Sequence, residues 1–477
     1  VRLISCISSF IKNELWAVRN NLRSAKPRAA GSKAHAQQFM KEDFLHYVWQ
    51  HQYFDKADLC TTAGEEIQVL RPGQRNADAG PDFLNARLRL GEVEWNGAVE
   101  IHLRASDWQR HHHQVDAKYD QVVLHVVLTA DADVRRTNGS LIPALALAPR
   151  LAPGLLARYE ALVAAPPAAP LPCAPLLAQV PALVRLLMTE RALLERVEQK
   201  ADALAELHGH LGHDWEATAY HALMAAFGFQ KNSEPLARLA KAVPLSVLRR
   251  HRHDVRQLEA LLFGQAGFLA ENDETAADDY LRDRRQEHEF LRHKYGLADA
   301  ALAAHEWNYL RLRPANFPAV RLGQLVGLLH RRPALFDALL TAQSVAALTE
   351  FFAGAPAPNY WRAHFRPGRP GKVPALGKSS IELLIINVVV PLRVAYARHV
   401  GEAALVESSV SLLSELPAEH NQYTDLYQEL GFEHHTAADS QGLLALHKSY
   451  CAPRRCLHCA IGARLVGGAE ARPRPRP

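Results

Sequence analysis

The chain has 477 residues, 48% hydrophobic and 22% charged, enough to fill the cores of two or three domains and too apolar for an intrinsically disordered chain. Six cysteines are too few and too unevenly spaced for a disulfide scaffold. The net charge of +5 identifies no partner, because residues 1–39 carry +6 (Arg2, Lys12, Arg19, Arg23, Lys26, Arg28 and Lys33 against Glu14) and the remainder carries −1.

Residues 1–39 open no domain and read as a non-native or disordered leader, with an apolar stretch from Leu3 to Ile11 that Ser8 and Ser9 interrupt. Residues 40–150 read as a mixed α/β domain. Within it an amphipathic helix over 41–51 precedes strands near 67–70, 83–90, 93–103 and 122–128, with a short helical turn around 117–121 before the last. Residues 151–180 are rich in Ala and Pro, with Pro166, Pro167, Pro170, Pro172 and Pro175, and predict a linker. From 181 to 450 the pattern is helical throughout, without a fixed-period repeat. The longest apolar run, Ile381 to Leu392, is too short for a bilayer helix and predicts a core segment, not a membrane span. A cysteine cluster at 451–463 and a basic, disordered tail at 464–477 complete the expectation, which is an α+β protein.

The chemistry centres on Asp82, Glu100 and His102. If the hairpin turns at Gly91-Glu92, Asp82 comes opposite or nearly opposite Glu100, and period-two alternation puts His102 on the same face. Two carboxylates that close repel unless a cation sits between them, so the pair is a candidate site for a hard, oxygen-seeking ion such as Mg2+ or Mn2+. An ordinary polar strand face is the plainer reading, and a competing turn at Trp95-Asn96-Gly97 would misalign the pair.

Pro81-Asp82 followed by Glu100-Ile101-His102 resembles the core of the PD-(D/E)xK nucleases. The resemblance implies a restriction-endonuclease-like core of αβββαβ order, with Asp82 and Glu100 as catalytic metal ligands and His102 where that family carries the lysine that assists the attacking water. Histidine departs from the pattern: with an ordinary pKa near ~6.5 it serves as base or ligand but not as a permanent cation. A broader resemblance runs through Met40 to Tyr47, Asp78-Ala79-Gly80-Pro81-Asp82-Phe83, Val99 to His102, Asp116 through Val127, Arg313-Pro314-Ala315-Asn316-Phe317-Pro318, and Tyr450 to Gly462. These stretches are similar to an uncharacterised bacterial family known only as a domain of unknown function, which implies no activity.

Cys451, Cys456 and Cys459 form C-x4-C-x2-C, part of the plant-type iron–sulfur spacing. With Cys173 as the fourth ligand the site would hold an iron–sulfur cluster or Zn2+, whereas His447 or His458 would favour Zn2+; three unligated cysteines in a tail is the remaining reading. Certain helicase-associated nucleases are similar in joining one distant cysteine to three clustered ones, although there the nuclease core lies inside the loop so closed. Cys6 and Cys60 receive no role.

Two windows without acids, 307–336 and 351–381, interleave Arg with Trp and Tyr, which makes Arg311, Arg313, Arg321, Arg366 and Arg369 candidates for a DNA or RNA groove; pairing with acids elsewhere in the fold is the equal alternative. His111-His112-His113 reads as a solvated turn in which His113, with Asp116, could approach the Asp82/Glu100 face, and His125 as a structural histidine within a strand. No P-loop, dinucleotide fingerprint or nucleophile elbow is present. The sequence thus points to a cytoplasmic metal-dependent nuclease with a separate cysteine-bound metal, against a non-catalytic nucleic-acid-binding or scaffold protein of the same fold, or a hydrolase of another phosphate ester.

Overall fold

The structure is a computed structural model and describes residues 41–76, 78–164, 171–270 and 278–468. The expectations for residues 1–39, and for the tail beyond 468, lie outside the described residues. The chain divides into two compact units: one runs up to Pro172 and takes back the chain from Gly462, and the other spans Cys173–Ile461.

The first unit is built on a six-stranded mixed sheet beside helix α1 (Glu42–His51). In α1, Phe44, Leu45, Val48 and Trp49 recur at helical spacing and are buried, while Glu42 and Asp43 occupy the first turn, where the helix dipole favours acids. The strands are β1 (Ile67–Arg71), β2 (Gln74–Arg75), β3 (Phe83–Leu90), β4 (Val93–Arg104), β5 (Val122–Thr129) and β6 (Ala144–Ala146). Strand β3 pairs antiparallel with β1, β2 and β4, whereas β5 runs parallel to both β4 and β6. A parallel neighbour needs a crossover, and residues 105–121 supply it with helix α2 (Asp107–Arg110) and two 3-10 turns. Beneath the crossover, Trp108 packs with Ala98, Val122, Val127, Val134 and Ile142.

The hairpin turns at Gly91-Glu92, with Gly91 at φ +53° and Leu90 facing Val93, so the competing turn at Trp95-Asn96-Gly97 does not form. Asn96 and Gly97 lie within β4, opposite Arg87 and Ala86. A Cβ at Gly97 would stand 2.4 Å from Val123 Cγ1 and 2.6 Å from Gln121 O, so glycine is what lets β5 begin so close to β4. A two-residue turn alone would set Phe83 against Glu100. One extra residue in β3, between Phe83 and Ala86, shifts the register so that Phe83 faces Val99. Asn85, at φ +58°, sits in this bulge and tolerates the left-handed backbone better than most residues. Asp82, one step before Phe83, is thereby brought opposite Glu100.

The Ala/Pro-rich stretch expected as a linker contains a helix, α3 (Leu155–Val163), which buries Leu155, Tyr159 and Leu162; residues 165–170 within it lie outside the described residues. The returning C-terminal segment is held in this unit by Tyr47 Oη, which donates to Ala463 O at 2.6 Å, and by Arg158 Nε, which donates to Val466 O at 2.7 Å. Structure therefore continues past residue 464, where a disordered tail was expected.

Among the described residues the second unit is helical, as expected, apart from a small hairpin at His364–Arg366 and Arg369–Pro370. Its longest helix, α4 (Ala182–His210), contributes Leu193, Val197 and Ala201 to a core that also takes Leu223, Phe263, Leu322 and Leu392 from later helices. The apolar run at 381–392 lies in a helix from Lys378 to Val400 that is long and apolar enough to cross a membrane; 72% of its apolar window is buried within the unit. The sequence estimate of its length was short because the helix continues through a π-helical turn, Ile385–Val389, and beyond Pro391.

Candidate active site

Asp82, Glu100 and His102 gather where β3 and β4 diverge from their shared register. The Asp82 N–H donates to Glu100 Oε2 at 3.0 Å, and Asp82 Oδ2 accepts from the Ile101 N–H at 3.0 Å. The two acidic residues thus hold each other across the strands through main-chain groups. The preceding loop is fastened as well: Asn76 N–H donates to Asp82 O at 2.7 Å, and Asn76 Nδ2 donates to Pro81 O at 3.1 Å. Glu100 is 5% exposed and His102 1%, because β4 and β5 are central strands. The Asp82 side chain keeps 26% of its surface accessible and forms the open side of the site.

Helix α1 contributes two residues that sequence reasoning did not single out. His46 Nε2 lies 3.0 Å from Asp82 Oδ2, while Arg75 Nη2 approaches His46 Nδ1 at 3.1 Å. A guanidinium only donates, so the Arg75 contact can form only with a neutral ring, whereas the carboxylates of Asp43 and Asp82 beside the ring favour the charged one. Burial works against a charged His46, yet its bonds to Asp43 and Asp82 outweigh that and raise its pKa to about 9. Glu42, one turn earlier, lies within electrostatic range of His111, Asp82 and His46, and burial raises its pKa. The i,i+4 spacing of Glu42 and His46 was visible in the sequence, but nothing there showed that this face of the helix meets the start of β3.

Histidines form the inner wall. His102 Nδ1 is 2.8 Å from His125 Nε2, and His102 Nε2 is 3.1 Å from His111 Nδ1, giving a line of three imidazoles from the interior to an exposed ring. His113 Nε2 stands 3.4 Å, and His102 Nε2 3.6 Å, from Glu100 Oε1. One nitrogen from each of His102, His111 and His113 lies within 4.8 Å of the others, the spacing of donors around one ion. The solvated-turn reading of the His111–His113 run therefore fails for His113, which is buried, while His111 and His112 are exposed, His112 with φ +61°. Asp116 instead caps a 3-10 turn through Lys118 N–H.

These surroundings change the role open to His102. Burial and the neighbouring rings of His125, His113 and His111 push its pKa down to about 2, and burial lowers that of His125 to about 3. His102 is a neutral donor–acceptor ring or a ligand, and is neither a substitute for the lysine's charge nor a strong base. Burial raises the pKa of Glu100; contact with His113 opposes the shift and the Asp82 charge adds to it. The donor set of two carboxylates and several imidazoles suits a transition ion such as Mn2+ or Zn2+ better than Mg2+, which prefers oxygen alone.

The family model described as a protein of unknown function, DUF2851, matches residues 42–422. The chain belongs to this family. No curated protein and no solved structure matches the chain. The family match takes in Glu42, Asp82, Glu100 and the histidines, and it ends before Cys451, Cys456 and Cys459.

The arginine windows belong to the second unit. Arg321 is 6% exposed, with its guanidinium 4.2 Å from the Phe229 ring centre, and it donates to Gln324 Oε1, Asn316 Oδ1 and Ser380 Oγ. It is a buried structural residue, which corrects its assignment to a nucleic-acid surface. Arg311, Arg313, Arg366 and Arg369 are exposed. The Arg366 guanidinium already covers Tyr309 at 3.9 Å and Phe317 at 4.7 Å, and Trp307 and Trp361 are core residues, so these aromatics do not form the open stacking platform that their spacing suggested.

Proposed function

We propose that this chain is a metal-dependent phosphodiester hydrolase acting on nucleic acid at Asp82 and Glu100. The observation that carries the reading is the bulge-set opposition of Asp82 and Glu100 at the junction of β3 and β4, with His102 two residues along the same strand. The element order of helix, antiparallel strands β1–β4, crossover and parallel strands β5 and β6 supports it, differing from the order that the nuclease resemblance implies by the short β2 and by β6.

Asp82, Glu100 and imidazoles of the His102, His111 and His113 group would hold the ion, which when bound polarises a phosphoryl oxygen and acidifies water. The chain's own residues do the rest. His46 orients the Asp82 carboxylate through Oδ2, leaving its other oxygen for a ligand. His102 and His125 lock one another's rings, and His111, on the exposed end of the line, can pass a proton to solvent. The exposed Arg311, Arg313, Arg366 and Arg369 are the proposed phosphate contacts.

A second reading, nucleic-acid binding without cleavage, is favoured by one observation, the neutral, buried His102 at the lysine position. The full chain incubated with labelled single- and double-stranded DNA and RNA in Mn2+, Mg2+ or Zn2+ separates the two. Cleavage by the wild type that is lost in Asp82→Asn and Glu100→Gln supports hydrolysis; binding without cleavage in every metal selects the second reading.

A further inference from the structure

The second unit begins at Cys173 and ends two residues after Cys459. Cys173 precedes the 3-10 turn Ala174–Gln179, whereas Cys451, Cys456 and Cys459 lie in one tight segment at the other end of the unit. A π-helical turn, His447–Cys451, sets Cys451, with Ala452 N–H donating to His447 O at 2.8 Å. Such turns are rare and recur at functional sites. The chain then reverses through Arg454 at φ +55°, whose N–H donates to Cys451 O, and Cys459 N–H donates to Cys456 O at 3.2 Å.

Although Cys173 is distant in sequence, each of the four thiols lies within electrostatic range of the other three. None of them is in a disulfide. Tyr427, itself fully buried, donates its hydroxyl to Cys451 Sγ at 3.2 Å, an arrangement that stabilises a thiolate. Four half-buried or buried thiols from opposite ends of one compact unit, in electrostatic range of one another without bridging and with a hydroxyl donor aimed at one of them, are the ligand type that a soft cation takes.

We propose that Cys173, Cys451, Cys456 and Cys459 bind a thiophilic metal centre that closes the helical unit by joining its first residue to its last turn. Each thiol gives its proton to solvent as it becomes a ligand, and the sulfur–metal bonds offset the entropy of holding the two ends of a long loop together. The chemistry shared by the two candidate occupants is tetrathiolate ligation, by an iron–sulfur cluster or by a single zinc ion.

The test is metal, acid-labile sulfide and visible absorption on the full chain purified without oxygen, compared among wild type, Cys60→Ser, Cys173→Ser and Cys456→Ser. About one zinc per chain, or about two to four irons with matching sulfide and visible absorption, in wild type and Cys60→Ser, falling to background in the other two variants, supports the centre and names its occupant. Should Cys173→Ser or Cys456→Ser fail to fold, thiol titration of the wild type decides. Four thiols that react only after chelation or cluster oxidation support the proposal. Wild-type protein with neither metal and with all thiols freely reactive overturns it, as does a metal content that Cys173→Ser leaves unchanged.

Discussion

Replacing Glu100 by Gln should stabilise the metal-free protein while removing metal binding. Glu100 is buried, its nearest acid is Asp82, and the groups around Oε1 are imidazoles at 3.4 and 3.6 Å. Glutamine keeps the volume, and its carbonyl oxygen can still accept the Asp82 N–H. What disappears is a charge buried beside another charge, and removal of such a penalty stabilises by about 1–2 kcal/mol, or roughly 3–6 °C in the midpoint of a unit of this size. The pH dependence follows from the raised Glu100 pKa. The cost of the ionised carboxylate is full above the folded-state pKa and vanishes as pH falls below the unfolded value near ~4.3, so the advantage of glutamine should be largest near neutrality and close toward pH ~4. Calorimetric unfolding in EDTA across that range measures the gap, and titration calorimetry with Mn2+ measures the lost site. A Glu100→Gln protein markedly less stable than wild type near neutrality would refute the reasoning, because Glu100 would then be holding the fold through a charged imidazole.

His102→Lys restores the residue of the nuclease pattern but places an ammonium where both ring nitrogens are engaged and only 1% of the residue is exposed; it should cost about 2–4 kcal/mol in urea unfolding and give no gain in cleavage. A stable variant that cleaves faster would show that the site accepts the lysine. Arg321→Ala removes a guanidinium that packs on Phe229 and bonds Asn316, Gln324 and Ser380, and should destabilise the helical unit by about 2–4 kcal/mol in the same assay. A change below about 0.5 kcal/mol would mean that Arg321 is not the structural residue its burial indicates.

The amino-acid sequence by itself determined the long strands and the turn between them, because alternation in β3 and β4 and a two-residue turn are local properties; it did not determine the opposition of Asp82 to Glu100. The expectation that Asp82 comes opposite or nearly opposite Glu100 rested on a turn at Gly91-Glu92, and that turn by itself leaves the two one residue out of register. The bulge at Asn85 makes up the difference, and a bulge is stabilised by neighbouring strands that no local pattern reveals. The C-x4-C-x2-C spacing was equally local, but the approach of Cys173 is a property of the folded helical unit. Tertiary structure alone decided which side chains meet at the site, His46 and Glu42 from α1 and His113 and His111 from the crossover, and that Arg321 turns inward from an acid-free window. Residue type sets what a group can do chemically, but whether it meets water, a carboxylate or an aromatic face depends on segments far away in the chain, and the energy of a buried charge or ring depends on that choice.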